Sequence, residues 1–140
     1  MISFSTETEF ELINPQSIGT WLESIIFQEN RLQGEISIVF CDDKYLHKLN
    51  VEFLNHDTLT DVISFNYSIG NEIQGEIFIS VDRVKENAVE FKQTFETELS
   101  RVMAHGVLHF CGYKDKTGPE ARLMRTKEDF YLSQLMDKPF

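Results

Sequence analysis

Cysteine is almost missing from this chain, with Cys41 and Cys111 as the only two, far apart in sequence. Two such residues build no disulfide scaffold, and they lack the close spacing of a cysteine zinc knuckle, so both read as buried thiols, Cys111 as one that shields a site from behind. Proline is limited to three residues and glycine to seven. No repeat, low-complexity tract or Pro/Gly-rich linker interrupts the chain, and residues 1–140 read as a single domain. Long apolar runs are missing too. Nothing approaches the roughly 20 apolar residues that cross a bilayer, and the segment from Met1 to Glu7 has neither the basic region nor the apolar core of a signal peptide. The expectation is a cytoplasmic protein without membrane contact.

Basic residues are scarce beside acids, 13 against 23, for a formal charge of −10. That excludes the uniformly basic surface of a general nucleic-acid binder. The distribution is uneven, however. Residues 101–127 hold six of the bases (Arg101, Lys114, Lys116, Arg122, Arg125 and Lys127) against Asp115 and Glu120, a local +4 that leaves −14 for the remainder. Either this segment is a solvated helix face, or it draws a polyanion to one place while the acidic remainder discourages indiscriminate binding.

What the chain does contain is a cluster of metal-ligand residues at helical spacing. The run His105-Gly-Val-Leu-His109-Phe-Cys-Gly112-Tyr-Lys-Asp115 places two histidines four residues apart. On an α-helix such positions differ by about 40° around the axis and about 6 Å along it, so both imidazoles can grip one ion. Gly112 can adopt the left-handed conformation that ends a helix and lets Asp115 return toward the histidines. His105, His109 and Asp115 are the candidate ligands of one divalent ion, zinc first, acting in catalysis through its water. Three protein ligands leave a fourth position open, as catalytic rather than structural zinc sites do. The alternative is a pair of satisfied, partly buried histidines. Gly106 stands where zinc peptidases of the His-Glu-x-x-His type carry their general base, which disfavours peptidase chemistry.

Hydropathy periods give an α+β fold, a small mixed β-sheet covered by helices. Ile2–Phe4 and Phe10–Ile13 suggest an N-terminal strand, and Pro15 with Ser17 opens a helix to about Gln28. Glu35–Cys41 alternates as a strand, Asp42 or Asp43 caps a helix carrying Leu46, Leu49 and Phe53, and Asn55–Leu59 is a turn. Val62–Tyr67 and Glu76–Ser80 pair across Gly70-Asn71. Ser80 caps a helix to about Gln93 with Val84, Ala88 and Phe91 buried. The metal helix spans about Glu96–Cys111. Its core face is Leu99, Met103, Gly106, Val107 and Phe110, and Gly106 permits close approach of a neighbour at a helix-propensity cost of roughly 1 kcal/mol. Pro119 starts a last helix to about Leu135, whose Leu123, Tyr131 and Leu135 should pack it on the sheet.

His-Gly-x-Leu-His-x-x-Gly-Tyr, together with Thr60-Asp-Val-Ile-Ser-Phe65, Gly75-Glu-Ile-Phe-Ile-Ser80, Leu49-Asn50, Phe53 and Asp57, resembles the YbeY-type endoribonucleases over about residues 35–135. The resemblance implies a zincin-like fold and a metal-dependent, single-strand-specific endoribonuclease. Its role would be ribosomal RNA maturation, including the 16S 3′ end, and ribosome quality control, with single-stranded or ribosomal RNA and the ribosome or its proteins as partners. Two positions depart from the family pattern. Asp115 stands in place of a third histidine, lowering the charge of a filled site from plus two to plus one and making its water less acidic. Leu54 stands where the family has an arginine suited to phosphate, with His56 or a base near the metal helix as a substitute. These departures leave open a metal-stabilised ribosome assembly factor that cuts nothing, while a small-molecule hydrolase is a third, remoter option. Asp61 and Ser64 border the expected cleft as substrate contacts or as a cap and a core hydroxyl. Tyr113 is a base-stacking ring or a packing residue.

Overall fold

A computed structural model describes residues 1–136. Nine elements follow in order: β1 (Ile2–Thr6), α1 (Pro15–Gln28), β2 (Leu32–Cys41), α2 (Asp43–Leu54), β3 (Val62–Asn66), β4 (Glu72–Ser80), α3 (Val81–Glu90), α4 (Phe95–Phe110) and α5 (Gly118–Met136). The sheet runs β1-β2-β4-β3, parallel except for β3, which pairs antiparallel with β4 at the edge. This is the expected α+β architecture of a small mixed sheet and helices.

Strand alternation divides the apolar side chains between two faces of unequal size. Ile36, Ile38 and Phe40 of β2 and Ile73, Ile77 and Ile79 of β4 point into the main core with Trp21 and Ile25 of α1 and Met103 and Val107 of α4. Cys41, Ile63 and Phe78 face the other way and are covered by Leu46 and Leu49 of α2. The caps are local and legible: Asp42 Oδ1 accepts from the Tyr45 amide at 2.8 Å, Ser80 Oγ from Arg83, and Thr94 Oγ1 from Thr97. Asp42, not Asp43, is therefore the cap of α2; Asp43 instead pairs with Arg83 of α3 at 3.1 Å.

Helix α4 lies at the centre of the molecule, with β4, α1, α3 and α5 all packed against it. Gly106 makes this possible, because a Cβ there would stand 2.8 Å from Ile77 Cδ1. The close approach expected of that glycine is present, against β4.

Several expectations fail, each for a tertiary reason. Phe10–Ile13 forms no strand; Phe10 instead inserts edge-on between Phe40 and Phe95, with ring centroids 5.0 and 5.8 Å away, and Ile13 is exposed. Strands β2 and β4 begin at Leu32 and Glu72, earlier than their apolar cores, because ladder pairing continues through Leu32–Glu72 beyond a bulge. Helix α3 stops at Glu90, before the left-handed Lys92, which leaves Phe91 about half exposed instead of buried. Helix α5 packs on α4, not on the sheet: its Tyr131 is buried, with its carbonyl accepting from Trp21 Nε1 at 2.8 Å, whereas Leu123 is 50% exposed. Phe53 is likewise exposed, with only its edge against Phe65.

Gly75 tests the packing of α4 on the sheet. A Cβ there would collide with the Phe65 carbonyl oxygen across the strand pair and lie 2.5 Å from Phe110 Cζ. Gly75→Ala should cost about 2 kcal/mol, in the range for overpacked cores. Urea denaturation measures it, and an unchanged midpoint would mean that Phe110 and β3 yield freely.

Candidate metal centre

The three sequence-predicted ligands come together. His105 and His109 lie one turn apart on α4, and Gly112, at φ 107°, turns the chain so that Asp115 faces back toward them. The two Nε2 atoms are 2.9 Å apart, and Asp115 Oδ2 is 3.2 Å from the first and 3.6 Å from the second. Among the described residues these three form a group able to hold one ion. Zinc bound at about 2.0–2.1 Å in a tetrahedral set holds its ligand atoms about 3.3 Å apart. The observed spacings bracket that value.

The protons decide how those atoms face one another. His109 Nδ1 lies 2.8 Å from the Tyr113 carbonyl oxygen, which can only accept, so the ring carries its proton there and presents a bare Nε2. His105 Nδ1 lies 2.7 Å from Glu128 Oε2, and the carboxylate holds that proton in the same way. Two lone pairs and a carboxylate oxygen thus converge without a hydrogen between them when both rings are neutral. A divalent cation relieves that arrangement, and the residues fit one.

Glu128 is buried on α5 and is itself held by Arg101 Nη1 at 3.1 Å, while Arg101 Nη2 pairs with Asp129 at 2.9 Å. Burial alone would lower the pKa of His105, but the hydrogen bond and charge of Glu128, then the charges of Asp115 and Asp61, raise it. Tyr113 is anchored just as firmly. Its hydroxyl donates to Glu29 Oε1 at 2.6 Å, and Glu29 also receives Tyr131 Oη and Lys127 Nζ. Burial would raise the Glu29 pKa, and those three donors bring it below the usual value. Tyr113 is therefore a packing residue whose carbonyl fixes His109, and the Lys127 ammonium sits 5.4 Å over its ring.

Beside the ligands lies a cleft of about 390 Å³ walled by β3, α3, α4 and α5. Asp61 lines it and takes a hydrogen bond from Asn87 Nδ2 at 3.3 Å; Ser64 lies within β3 away from it. Arg125 lines it as well, whereas Leu54 and His56 are not among its walls. Of the basic cluster, Arg101 and Lys127 are consumed in ion pairs, and Lys114, Lys116 and Arg122 are exposed. Cys41 and Cys111 are buried free thiols, held protonated mainly by burial, with pKa values pushed up to about 12 and about 11.

The family model for endoribonuclease YbeY matches residues 3–136. The chain belongs to the endoribonuclease YbeY family. Among family members, the endoribonuclease YbeY of Flavobacterium johnsoniae is 60% identical, covering 92% of this chain and 93% of that protein. That of Christiangramia forsetii is 53% identical over 91% and 90%. The solution structure of TM1509 from Thermotoga maritima superposes with a TM-score of 0.69 at 28% identity, covering 96% of this chain and 89% of that one.

Glu128, Arg101 and Glu29 were not singled out as site residues by the sequence. Glu128 sits in the charged run Arg125-Thr-Lys-Glu-Asp129, which reads as a solvated face, and nothing local marks it as buried. Its removal defines the first test of the centre: Glu128→Gln should weaken metal affinity roughly 10- to 100-fold, as loss of outer hydrogen-bond partners does, in competition with a chromophoric chelator. The second follows from protonation. Because the raised pKa favours the charged imidazolium, metal affinity should fall as pH drops through the His105 pKa, starting above its ordinary value of 6.5. Affinity constant from pH 8 to about pH 6 would contradict it.

Proposed function

We propose that this chain is a metal-dependent endoribonuclease that cuts single-stranded RNA in ribosomal RNA processing. The observation that carries the reading is the pair of histidines with both Nδ1 protons tied outward, so that their Nε2 atoms and Asp115 converge on one point beside a cleft. Family membership supplies the reaction class: the relatives are named endoribonucleases.

Within that reading His105, His109 and Asp115 hold the ion and act in catalysis through it. A divalent ion there, zinc by the donor set, supplies Lewis acidity toward a phosphoryl oxygen and a water of lowered pKa. Glu128 and the Tyr113 carbonyl keep each histidine in the tautomer that ligation needs. Asp115, whose side chain is 41% exposed, leaves the centre open to a polymeric substrate on one side. Helix-borne histidines with a third ligand just beyond the helix give the centre a zincin-like layout, and Gly106 leaves it without that class's glutamate base. Residues 1–140 act as one catalytic domain, with the ribosome or its proteins as partners and the cytoplasm as the compartment. Consistent with this, no described helix is long and apolar enough to cross a membrane.

Cleavage of a single-stranded RNA by protein of measured metal content is the test, with His109→Ala and Asp115→Ala prepared identically. Cleavage should track metal occupancy and fall at least about 100-fold in both variants. Bound metal without cleavage would move the reading to an assembly factor. Asp115→His adds a sign: removing the anion makes the bound water more acidic, so the rising limb of the pH–rate profile should shift to lower pH.

A further inference from the structure

The cleft beside the metal centre contains a group that the chemistry above does not use. Glu98, on the first half of α4, lines it, yet only 4% of the residue is exposed, and its carboxylate has no hydrogen-bond partner among the described residues. The residue is buried as a whole, but its carboxylate oxygens are not sealed from solvent, so they border the cleft with acceptor positions that the protein leaves unfilled. Arg101 is one turn away, but its donors are occupied by Glu128 and Asp129, and its Nε is buried without a partner. The carboxylate is thus a preformed acceptor facing an opening of ligand size, since the cleft volume of about 390 Å³ falls within the range of small-molecule pockets.

The walls indicate what the opening admits. Val62, Val102, Ala121 and Met124 supply flat apolar surface, and Phe91, left about half exposed by the early end of α3, stands among them. Four carboxylates (Asp61, Glu98, Asp115 and Glu128) outnumber the two guanidiniums of Arg101 and Arg125. Asp115 faces the histidines and Glu128 is paired with Arg101 and His105, which leaves Asp61 and Glu98 as acceptors that suit the donor edge of an aromatic ring. Resting on the reading of the centre as an RNA-cutting site, we propose that this cleft is a nucleobase subsite, in which Glu98 accepts hydrogen bonds from the base and Phe91 with Met124 covers its face.

Guanine is the base that matches. Its N1–H and exocyclic amino group are adjacent parallel donors, which fit the two oxygens of one carboxylate. Cytosine and adenine offer one amino group, and uracil sets its single N–H between two carbonyls that a carboxylate repels. Position agrees with chemistry. Glu98 and His105 are seven residues apart on α4, about 10 Å along the axis, so the base of one nucleotide can sit at Glu98 while a neighbouring phosphate reaches the metal ligands.

The test separates base recognition from cleavage. Binding of GMP and UMP to the metal-loaded protein is measured by calorimetry, and cleavage is mapped on single-stranded RNAs that carry one guanine in a uridine tract. GMP should bind at least tenfold more tightly than UMP, and cuts should fall at a fixed offset from the guanine. Glu98→Gln, which keeps the shape but replaces one acceptor oxygen with a donor, should abolish both the discrimination and the fixed offset, with metal stoichiometry held at one per chain. Phe91→Ala, at the exposed mouth, should weaken GMP and UMP to a similar extent, which keeps the subsite testable if the Glu98 variant folds poorly. RNA cleavage without guanine preference, or with a preference that survives Glu98→Gln, overturns the subsite and leaves the nuclease reading intact. A second metal ion per chain, lost in Glu98→Gln, overturns it in favour of a cation site. GMP discrimination in a protein that cuts no RNA would uphold the subsite and overturn the nuclease reading instead.

Discussion

Contact between Gly106 and Ile77 is the constraint on which the rest of the molecule depends. Without a Cβ at that point, α4 drops onto β4 until the glycine stands against a side chain that is itself completely buried. A helix so placed has little room for polar groups, and most of α4 is apolar core. Its polar stripe of Glu98, Arg101, His105 and His109 lies on the side turned toward α3, α5 and the cleft, where each group except Glu98 finds a partner. The depth of α4 therefore sets both the stability of the fold and the rigidity of the imidazoles. Rigid ligands matter because an ion binds tightly only where its donors need not be gathered at the moment of binding.

Orientation of the two histidines is divided between separate parts of the chain. His105 depends on α5 through Glu128, which is held in turn by Arg101 of α4. His109 depends on the turn after α4 through Tyr113, and that turn is tied by Glu29 to the end of α1 and by Tyr131 and Lys127 to α5. The candidate metal centre is consequently a junction at which α1, α4 and α5 must all be in place. A substitution in the Glu29 cluster, remote from the ligand atoms, reaches His109 only by moving one backbone carbonyl. The structure makes it a positioning device.

Local pattern made much of this legible in the sequence. The i, i+4 histidines, the terminating glycine and the returning carboxylate are all short-range features, as are the caps at Asp42 and Ser80, and each stands in the structure as the spacing implied. What stayed hidden depends on distant contacts. Phe10 reads as part of a strand because apolar runs are ambiguous in period, and only its fit between Phe40 and Phe95 makes it a core plug in a loop. Glu128 and Glu98 read as surface acids because charge carries no signature of burial until the facing helix is known. Phe91 reads as core because helical spacing continues through it, whereas the left-handed Lys92 ends α3 and turns the ring outward.

The acidity of the chain takes on a different meaning once the site is visible. A formal charge of −10 weakens nonspecific attraction to phosphates. Two of the six bases near the motif are also consumed internally, Arg101 in orienting Glu128 and Lys127 in holding Glu29. Little long-range pull is then left for RNA, so on the proposed reading affinity would rest on short-range contacts: an ion under a phosphate, an apolar wall under a base, an acceptor on its edge. Such contacts require bases that are unstacked and unpaired, because a duplex hides its ring faces and Watson–Crick edges. On the proposed reading, a preference for single strands is what charge and shape together would produce: an acidic chain holds a duplex backbone poorly, and the cleft would offer its apolar walls and the Glu98 carboxylate only to a base that has already left the stack.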